Sequence, residues 1–369
     1  MLRVLLTFLY ALASLHLLLA APASPQLPTK DAPYSDSPAQ MDATIECPNG
    51  IQGKAGGVVL LVSGTALNGR ASYEQGPFVQ LLPNAGPGFD VCWISPPNNG
   101  LGDAQTGGEY VAYAIRKLAP QSATGKVKVG GHSQGGGLNV PWALIFFPSA
   151  RKLVDSFVGF APDFHGTTIL PYPACTAEKL LSLGVGCAPS ILQQEKGSMY
   201  LGAQLHFLTQ AIVPTTAIFT RTDEIVIPQF GPNPSSRLPG SVQFPLQDYC
   251  GPLELSDHLS IIANPAAYAI ALNAWTSPTG AADLSKFEKA RDCFNIANSA
   301  LDLNDVAASI RYFATIGEAV VTSGGAPTPS EPALKQYVCD AGAATVCGKA
   351  GPTPPIVSLS DLTGLASDL

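Results

Sequence analysis

The sequence predicts an α/β protein in which a mostly parallel central sheet is flanked by helices. Short segments rich in β-branched residues alternate with segments whose apolar residues recur at helical spacing, and this alternation is typical of α/β folds. The strand segments are apolar at consecutive positions, as expected for strands that helices cover on both faces. Because no internal repeat and no clear boundary interrupts the pattern, most of the 369 residues are expected to form one large domain.

The predicted elements follow one another along the chain. Strands are expected in the segments GVVLLVSG (57–64), FDVCWIS (89–95), KVKVGG (126–131), SFVGFAPD (156–163) and TTAIFTRTD (215–223). Helical spacing occurs in EYVAYAIRKL (109–118), LNVPWALIFF (138–147) and LDLNDVAASIRYFATIGEAVV (301–321). The last of these begins at an Asn/Asp start signal and ends before a segment rich in Gly and Pro.

The two ends of the chain differ from this central region. Arg3 precedes a mainly apolar run at residues 4–21, which small residues and prolines follow, and this pattern predicts a secretory signal peptide at residues 1–21. A membrane anchor is the alternative. Residues 22–46 are rich in Pro, Ser and Asp, as in a pro-segment or an N-terminal arm. We expect a main domain at 47–347, a peripheral tail at 348–369, and a secreted, extracellular protein.

The cysteines agree with secretion, because an even number is typical of disulfide-bonded proteins that fold in an oxidising compartment. The eight are Cys47, Cys92, Cys175, Cys187, Cys250, Cys293, Cys339 and Cys347. No CxxC pair and no Cys/His cluster is present, so no metal site is expected. The spacing alone does not fix which cysteines pair.

Composition limits the classes of partner. Hydrophobic residues make up 46% of the chain and charged residues only 13%, so apolar surface is either buried or meets an apolar partner such as a lipid surface. The net charge of −7 and the absence of a Lys/Arg run argue against nucleic acid, because phosphate binding needs a basic face. We expect a monomer in transient contact with a lipid–water interface.

The segment Gly131-His132-Ser133-Gln134-Gly135 fits the GxSxG pattern of a nucleophile elbow. It falls between a predicted strand and a predicted helix, as the elbow requires. The serine of such a turn has a strained backbone, and its flanks must be nearly free of side chains. We therefore interpret Ser133 as a nucleophile; an ordinary serine in a Gly-rich turn is the alternative.

A serine nucleophile needs a base, and histidine is the usual one. Four of the five histidines are poorly placed. His16 lies in the signal segment, and His132 adjoins the serine with its side chain expected to point away. His165 lies at a strand end and His206 in a helical pattern. His258, in the loop segment CGPLELSDHLS, remains. Chains with this elbow place the nucleophile first, the acid second and the histidine last, so His258 is the expected base.

The third group must be a carboxylate that fixes the tautomer of the imidazole. Asp223 ends an apolar run, where the carboxyl end of a strand would present it to the ligand side of the sheet. Asp163 also ends a strand segment, and Asp257 adjoins the base. We expect Asp223 to be the acid. Asp163 is the first alternative, and Asp257 is less suitable because neighbouring side chains rarely face each other.

The oxyanion that forms on the attacked carbonyl needs hydrogen-bond donors already aimed at it. The backbone N–H of Gln134, the residue after the nucleophile, is one expected donor. A second donor usually comes from the loop after an early strand, here the segment LLVSGTALNG, which points to Thr65. The hydroxyl of Thr65 is a possible third donor.

Seven segments together resemble a known family: LLVSGT, CWISPP, SQGG, FFPSARKLVDSFVGFAPDFHGT, IVPTT, TDEIVIPQ and CGPLELSDH. In this order they are similar to the Candida antarctica lipase B-like fungal lipases of the α/β-hydrolase superfamily. The resemblance spans roughly residues 47–347 and implies a serine lipase or esterase without a cofactor. It implies the same triad and oxyanion residues, and a substrate pocket lined by His132, Asp163, Gln194 and Ile225.

The resemblance also implies three disulfides: Cys47–Cys92, Cys250–Cys293 and Cys339–Cys347. Cys175 and Cys187 are then left to pair with each other, in a segment that is longer than its counterpart in the family. We expect this segment to be a stapled lid or rim element, with a surface insertion as the alternative. His132 stands where the family has tryptophan, which predicts a roomier pocket on the alcohol side.

These observations predict a serine ester hydrolase that acts on uncharged esters, from soluble short-chain esters to acylglycerols. Ser133 would attack the ester carbonyl and form an acyl-enzyme that water or an alcohol resolves. A polyesterase, a cutinase-like enzyme or an acyltransferase would use the same residues. An inactive binding protein on the same scaffold is the alternative from another class.

Overall fold

A seven-stranded sheet forms the centre of the protein. The structure is a computed structural model that describes residues 25–168, 186–293 and 327–352. The strands are β1 (Ile45–Glu46), β2 (Val58–Val62), β3 (Asp90–Ile94), β4 (Val127–His132), β5 (Val154–Phe160), β6 (Thr215–Phe219) and β7 (Val242–Pro245). Their order across the sheet is β1-β3-β2-β4-β5-β6-β7, and only β1 runs antiparallel to its neighbour.

Helices connect the parallel strands. Within the described ranges the α-helices are α1 (Pro38–Asp42), α2 (Gly69–Tyr73), α3 (Pro77–Leu81), α4 (Ala104–Leu118), α5 (Val140–Phe146), α6 (Pro148–Arg151), α7 (Pro189–Gln193), α8 (Met199–Phe207), α9 (Leu246–Cys250), α10 (Pro265–Thr276), α11 (Lys289–Asp292) and α12 (Gln336–Asp340). Shorter helical turns lie at Leu82–Asn84, Pro97–Gly100, Ala119–Gln121, Ser260–Ala263 and Leu284–Lys286, and a π-helical turn lies at Gly135–Asn139.

All five predicted strands are present, and the reason is visible in β2. Its residues are fully buried and alternate between two hydrophobic clusters, one on each face of the sheet. Helices α4, α5 and α8 contribute to one cluster, and α3 and α10 contribute to the other. The predicted α/β fold is therefore confirmed: continuous apolar runs form strands because both of their faces are covered.

Two long helices begin where the sequence offers a cap. The side chain of Asp103 accepts a hydrogen bond from the N–H of Gln105 at the start of α4, and Asn264 accepts one from Ala267 at the start of α10. Arg116 lies in the last turn of α4, where a positive charge is favourable. Helix α4 extends the predicted segment 109–118 at its N-terminal end.

Residues 25–46 lie along the main domain. The carboxylate of Asp31 accepts hydrogen bonds from Ser149, and the ring of Tyr34 stacks on Phe147 at 5.1 Å. Two further contacts reach α4: the N–H of Ser35 donates to Glu109 at 2.6 Å, and Tyr110 donates to Asp36 at 2.8 Å.

The disulfides Cys47–Cys92, Cys250–Cys293 and Cys339–Cys347 are formed. Cys187 is also disulfide-bonded, whereas its expected partner Cys175 lies outside the described residues. The predicted signal peptide, the predicted helix at 301–321 and most of the predicted tail lie outside them as well. Across the described ranges, no helix combines the length and apolar character needed to span a bilayer.

Candidate active site

The turn between β4 and the helical segment after it places Ser133 above the carboxyl edge of the sheet. Ser133 has φ 53°, a left-handed value that is unusual for a residue with a side chain. Its N–H donates to the carbonyl of Phe160 on β5 at 2.9 Å, and its own carbonyl accepts from Gly137 at 2.7 Å. The strained turn is thus held by backbone hydrogen bonds on both sides.

The glycines that flank Ser133 are needed because backbone approaches backbone. A Cβ at Gly131 would lie 2.6 Å from the Cα of Gly136, and a Cβ at Gly135 would lie 2.6 Å from the carbonyl oxygen of Val62. Both distances are far shorter than van der Waals contact. The GxSxG spacing therefore follows from packing of the elbow against β2 and against its own helix.

The structure brings Ser133, His258 and Asp223 together in one row. Nε2 of His258 lies 2.8 Å from Oγ of Ser133, and Nδ1 lies 2.9 Å from Oδ2 of Asp223. All three side chains are buried. Since a carboxylate only accepts, Nδ1 carries the hydrogen of that bond, and Nε2 is left to accept the proton of the serine hydroxyl.

Asp223 is fixed by the turn in which it lies, four residues beyond the end of β6. Its Oδ1 accepts the N–H groups of Ile225 at 3.0 Å and Val226 at 2.7 Å, which leaves Oδ2 for His258. The carboxylate is therefore oriented by backbone amides on one side and binds the imidazole with the other.

The electrostatic surroundings of His258 favour its charged form. Burial by itself lowers the pKa of His258, but the charge and hydrogen bond of Asp223, together with Glu224 and Asp163, raise it above the ordinary value of histidine. These groups would stabilise an imidazolium at this position.

The expected oxyanion residues lie on two sides of the serine. Gln134 begins the helical turn after Ser133, where N–H groups lack partners within the helix. Oγ1 of Thr65 lies 2.6 Å from Oε1 of Gln134 and 3.1 Å from Oε1 of Gln194. Because both partners are acceptors, the single hydroxyl hydrogen of Thr65 points to these side-chain amides in the resting structure.

The sequence led us to expect that the side chain of His132 points away from the site. This expectation was wrong. Its side chain is fully buried, its ring centroid lies 4.9 Å from that of His258, and its Nε2 lies 2.8 Å from the carbonyl oxygen of His258. Burial, followed by the charge of His258, lowers the pKa of His132 to about 3, so this imidazole is neutral at ordinary pH.

The two alternative acids are placed differently from Asp223. Asp163 is fully buried, and neither of its carboxyl oxygens has a hydrogen-bond partner in the described part of the chain. Burial raises the pKa of Asp163 to about 7. Asp257 is exposed, and its Oδ1 accepts the N–H groups of Leu259 and Ser260 instead of an imidazole N–H. The bond from His258 goes to Asp223 alone of these three carboxylates.

The remaining predicted pocket residues border the same region. Nε2 of Gln194 donates to Oε1 of Gln134 at 3.1 Å and to the carbonyl of Ser190 at 3.0 Å, so its amide is held behind Thr65. Ile225 is half-buried next to the turn of Asp223. Contact of these residues with substrate stays a prediction.

One residue of the site was missed. Oε2 of Glu224 accepts the backbone N–H of His258 at 3.1 Å. The sequence shows only that Glu224 follows Asp223, and neighbouring carboxylates at the end of a strand segment give no indication of which backbone amide they will meet. No group of three or more His, Cys, Asp or Glu side chains is arranged for a metal ion within the described ranges.

Comparison with known proteins gives two close similarities. The chain is 34% identical over 323 residues to Lipase B of Pseudozyma antarctica, an alignment that covers 86% of this chain and 90% of that protein. It is also similar to the crystal structure of Aspergillus fumigatus lipase B, with a TM-score of 0.74 and 31% identity over 86% of this chain and 75% of that chain. No protein-family model matches. The chain therefore belongs to the lipase B family and is a serine ester hydrolase with the α/β-hydrolase fold.

Proposed function

We propose that this protein is a secreted, monomeric lipase or carboxylesterase that hydrolyses and transesterifies uncharged carboxylic esters through Ser133, His258 and Asp223. The observation that carries this proposal is the continuous row of hydrogen bonds from Asp223 to His258 and from His258 to Ser133, at 2.9 and 2.8 Å. These distances lie within the range over which a base takes a proton from a nucleophile.

The reaction starts with transfer of the Ser133 hydroxyl proton to Nε2 of His258 while Oγ bonds to the ester carbonyl carbon. The tetrahedral intermediate collapses as the imidazolium returns the proton to the departing alkoxide, which leaves as an alcohol. Water or a second alcohol then attacks the acyl-enzyme with His258 again as base, which regenerates Ser133. Asp223 keeps its acceptor role throughout and stabilises the imidazolium.

The negative charge on the carbonyl oxygen is met by the N–H of Gln134 and by the Thr65 loop. Each well-placed donor of this kind contributes about 3 kcal/mol to lowering the barrier. For its hydroxyl to contribute, Thr65 must rotate its hydrogen from Gln134 and Gln194 toward the oxyanion. The hydroxyl of Thr65 therefore becomes a donor to the oxyanion only after substrate binds.

The charges around the base favour substrates without a carboxylate. The charges of Asp223 and Glu224 both raise the pKa of His258. An anionic acyl group placed next to Ser133 would meet this negative field in a buried site, where Coulomb repulsion is weakly screened. Neutral esters, including acylglycerols, meet no such repulsion.

Exposed apolar side chains near the base support contact with a lipid surface. Leu253 and Leu255 are 89% and 72% exposed in the loop that leads to His258, and Phe230, 62% exposed, follows the turn of Asp223. Large apolar side chains with this exposure gain free energy when they enter a lipid interface, about 1.5–3 kcal/mol each when fully buried.

The contact is tested with the double variant Leu253→Ser/Leu255→Ser and, as a control, Val346→Ser at another exposed apolar residue. On emulsified triacylglycerol the double variant should lose about tenfold activity, while both variants stay within about twofold of the parent on a dissolved short-chain ester. Equal loss on both substrates would contradict interfacial contact.

The catalytic proposal is tested by reaction with an active-site fluorophosphonate and with p-nitrophenyl esters of increasing acyl length. The parent protein should be labelled and should hydrolyse these esters, and Ser133→Ala should abolish both. Retention of labelling or of hydrolysis in Ser133→Ala would refute the assignment of the nucleophile.

Secretion is proposed from residues 1–21 and from the disulfides, which are typical of proteins that fold in an oxidising compartment. N-terminal sequencing of protein recovered from the medium of an expressing host should give a start shortly after residue 21. Retention of the intact N-terminus in a membrane fraction would contradict it.

A further inference from the structure

We propose that His132 and Glu224 are positioning residues that hold the backbone of His258 from both sides and thereby place its imidazole between Ser133 and Asp223. This inference depends on the proposed catalytic role of that row. The first of the two residues precedes the nucleophile in the chain, and the second follows the acid.

The backbone of His258 needs such support because it lies outside regular secondary structure. The loop begins after Cys250 at the end of α9, and the next helical turn begins only at Ser260. Between them, Leu253 and Leu255 are largely exposed and pack little against the domain. A sheet or helix ladder therefore does not fix the peptide groups of His258, although a general base must stay within about 0.5 Å of its productive position.

His132 holds the carbonyl side. Its Nε2 lies 2.8 Å from the carbonyl oxygen of His258, and since a carbonyl only accepts, this nitrogen carries the hydrogen. The low pKa of His132 keeps the ring neutral, so this is its one N–H group, and it is used for this bond. His132 is itself the last residue of β4, paired with Phe160 on β5. The carbonyl is thus anchored directly to the central sheet.

Glu224 holds the amide side. Its Oε2 accepts the N–H of His258 at 3.1 Å. Glu224 lies inside the turn that Asp223 stabilises by accepting the N–H groups of Ile225 and Val226. The segment that supplies the acid therefore also fixes the amide of the base.

The two bonds act on a single residue and have a joint effect on the imidazole. If the loop moves, His258 lengthens its bonds to Ser133 and Asp223 at the same time, and a displacement of about 1 Å at a reacting group costs about 100-fold in rate. Holding both peptide groups restricts this movement before substrate arrives. The effect should therefore be seen in kcat more than in KM.

Two pairs of nearly isosteric variants separate the hydrogen bond from side-chain volume. His132→Gln keeps an N–H donor near the position of Nε2, whereas His132→Met fills similar space without a donor. Glu224→Gln keeps a carbonyl acceptor, whereas Glu224→Met has none. Steady-state kinetics on a dissolved p-nitrophenyl ester, with thermal unfolding of each variant, gives the comparison.

Each Met variant should show kcat lower than its Gln counterpart by about five- to tenfold, which is the usual net worth of one neutral hydrogen bond. KM should differ by less than about twofold within each pair. Glu224 is exposed, so both of its variants should fold. The comparison of Glu224→Gln with Glu224→Met therefore tests the positioning role even if His132→Met does not fold.

Equal kcat within both pairs, in proteins that fold normally, would overturn the positioning role. A difference confined to KM would overturn it too, because it would indicate substrate contact. Failure of the catalytic proposal is seen separately: Ser133→Ala, assayed in parallel, would then keep its hydrolysis and its fluorophosphonate labelling.

Discussion

The two partners of the Ser133–His258 hydrogen bond are held in place by different means. Ser133 lies in a turn fixed by backbone hydrogen bonds and by glycines that allow close packing against β2. His258 lies in a loop with exposed leucines and is held by the side chains of His132, Asp223 and Glu224. The position of the proposed nucleophile is thus a property of the sheet, whereas the position of the proposed base depends on individual side chains.

This difference predicts that a conservative substitution lowers kcat most when it removes a side chain that holds His258. Asp223→Asn should lower kcat by about 10⁴-fold with the fold intact, because an amide does not hold the imidazole in the tautomer that can take the serine proton. Asp257→Asn is the matched control: its Oδ1 accepts the backbone N–H groups of Leu259 and Ser260, and an amide oxygen can replace it. Kinetics on a dissolved ester, with circular dichroism, checks both variants.

A loss of less than about tenfold in Asp223→Asn would contradict the assigned acid. A larger loss in Asp257→Asn than in Asp223→Asn would transfer the role to the neighbour of the base.

Because backbone hydrogen bonds and close packing hold Ser133, a substitution must displace the backbone of its turn to move the serine. Gly131→Ala forces a Cβ to within 2.6 Å of the Cα of Gly136, so the elbow has to open. We expect kcat/KM to fall by about 100-fold, the usual result of a shift near 1 Å at a reacting group. Gly202→Ala, in α8 and with no atom beyond its own helix and chain neighbours within 4 Å of the new Cβ, should keep full activity and gain about 1 kcal/mol in stability. Full activity in Gly131→Ala would show that the elbow tolerates a side chain.

The buried carboxyl group of Asp163 makes the stability of the protein depend on pH. With its pKa raised to about 7 by burial, native Asp163 keeps a proton that the unfolded chain releases near pH 4. The free energy of unfolding therefore falls as pH rises from about 4 to 7, by up to about 4 kcal/mol from this group, and stays lower above pH 7.

Asp163→Asn removes this ionisation, so the Tm of the variant relative to the parent should be higher at pH 8 than at pH 4.5. The same difference in Tm at both pH values would show that Asp163 is ionised at neither or at both.

The smallest expected effect concerns the pH dependence of the base. Since only neutral His258 can take a proton and its pKa is raised, kcat/KM should be lost on acidification through a pKa above the 6.5 of ordinary histidine. Glu224→Gln removes one of the charges that raise the pKa of His258, so the acidic limb of the pH–rate profile should move slightly to lower pH, because an exposed charge is well screened. An upward movement in the pH–rate profile would contradict the stated electrostatics.

The sheet was predictable from the sequence to the extent that its strands are buried on both faces. The apolar run at Val58–Val62 is too short for a typical helix and indicates a strand covered on both faces, and all of its residues are buried. The edge strands Ile45–Glu46 and Val242–Pro245 were not predicted, because one has two residues and the other is half-buried and ends in proline.

The site was predictable wherever the chemistry of a residue type restricts the choice. GxSxG selects Ser133, and the scarcity of histidine selects His258. Distances across more than a hundred residues are set by tertiary packing, which is why the sequence favoured Asp223 as the acid but left Asp163 and Asp257 as alternatives. The roles of His132 and Glu224 depend on which backbone groups meet them, and no spacing in the sequence encodes that.

A crystal structure of the protein after reaction with a neutral alkyl phosphonate tests the central claim most directly. The phosphorus atom should be bonded to Oγ of Ser133, with Nε2 of His258 within hydrogen-bond distance of the ester oxygens and the phosphoryl oxygen accepting from the N–H of Gln134 and from Thr65. Phosphonylation of a different residue, or an adduct on Ser133 whose phosphoryl oxygen faces away from Gln134 and Thr65, would contradict it.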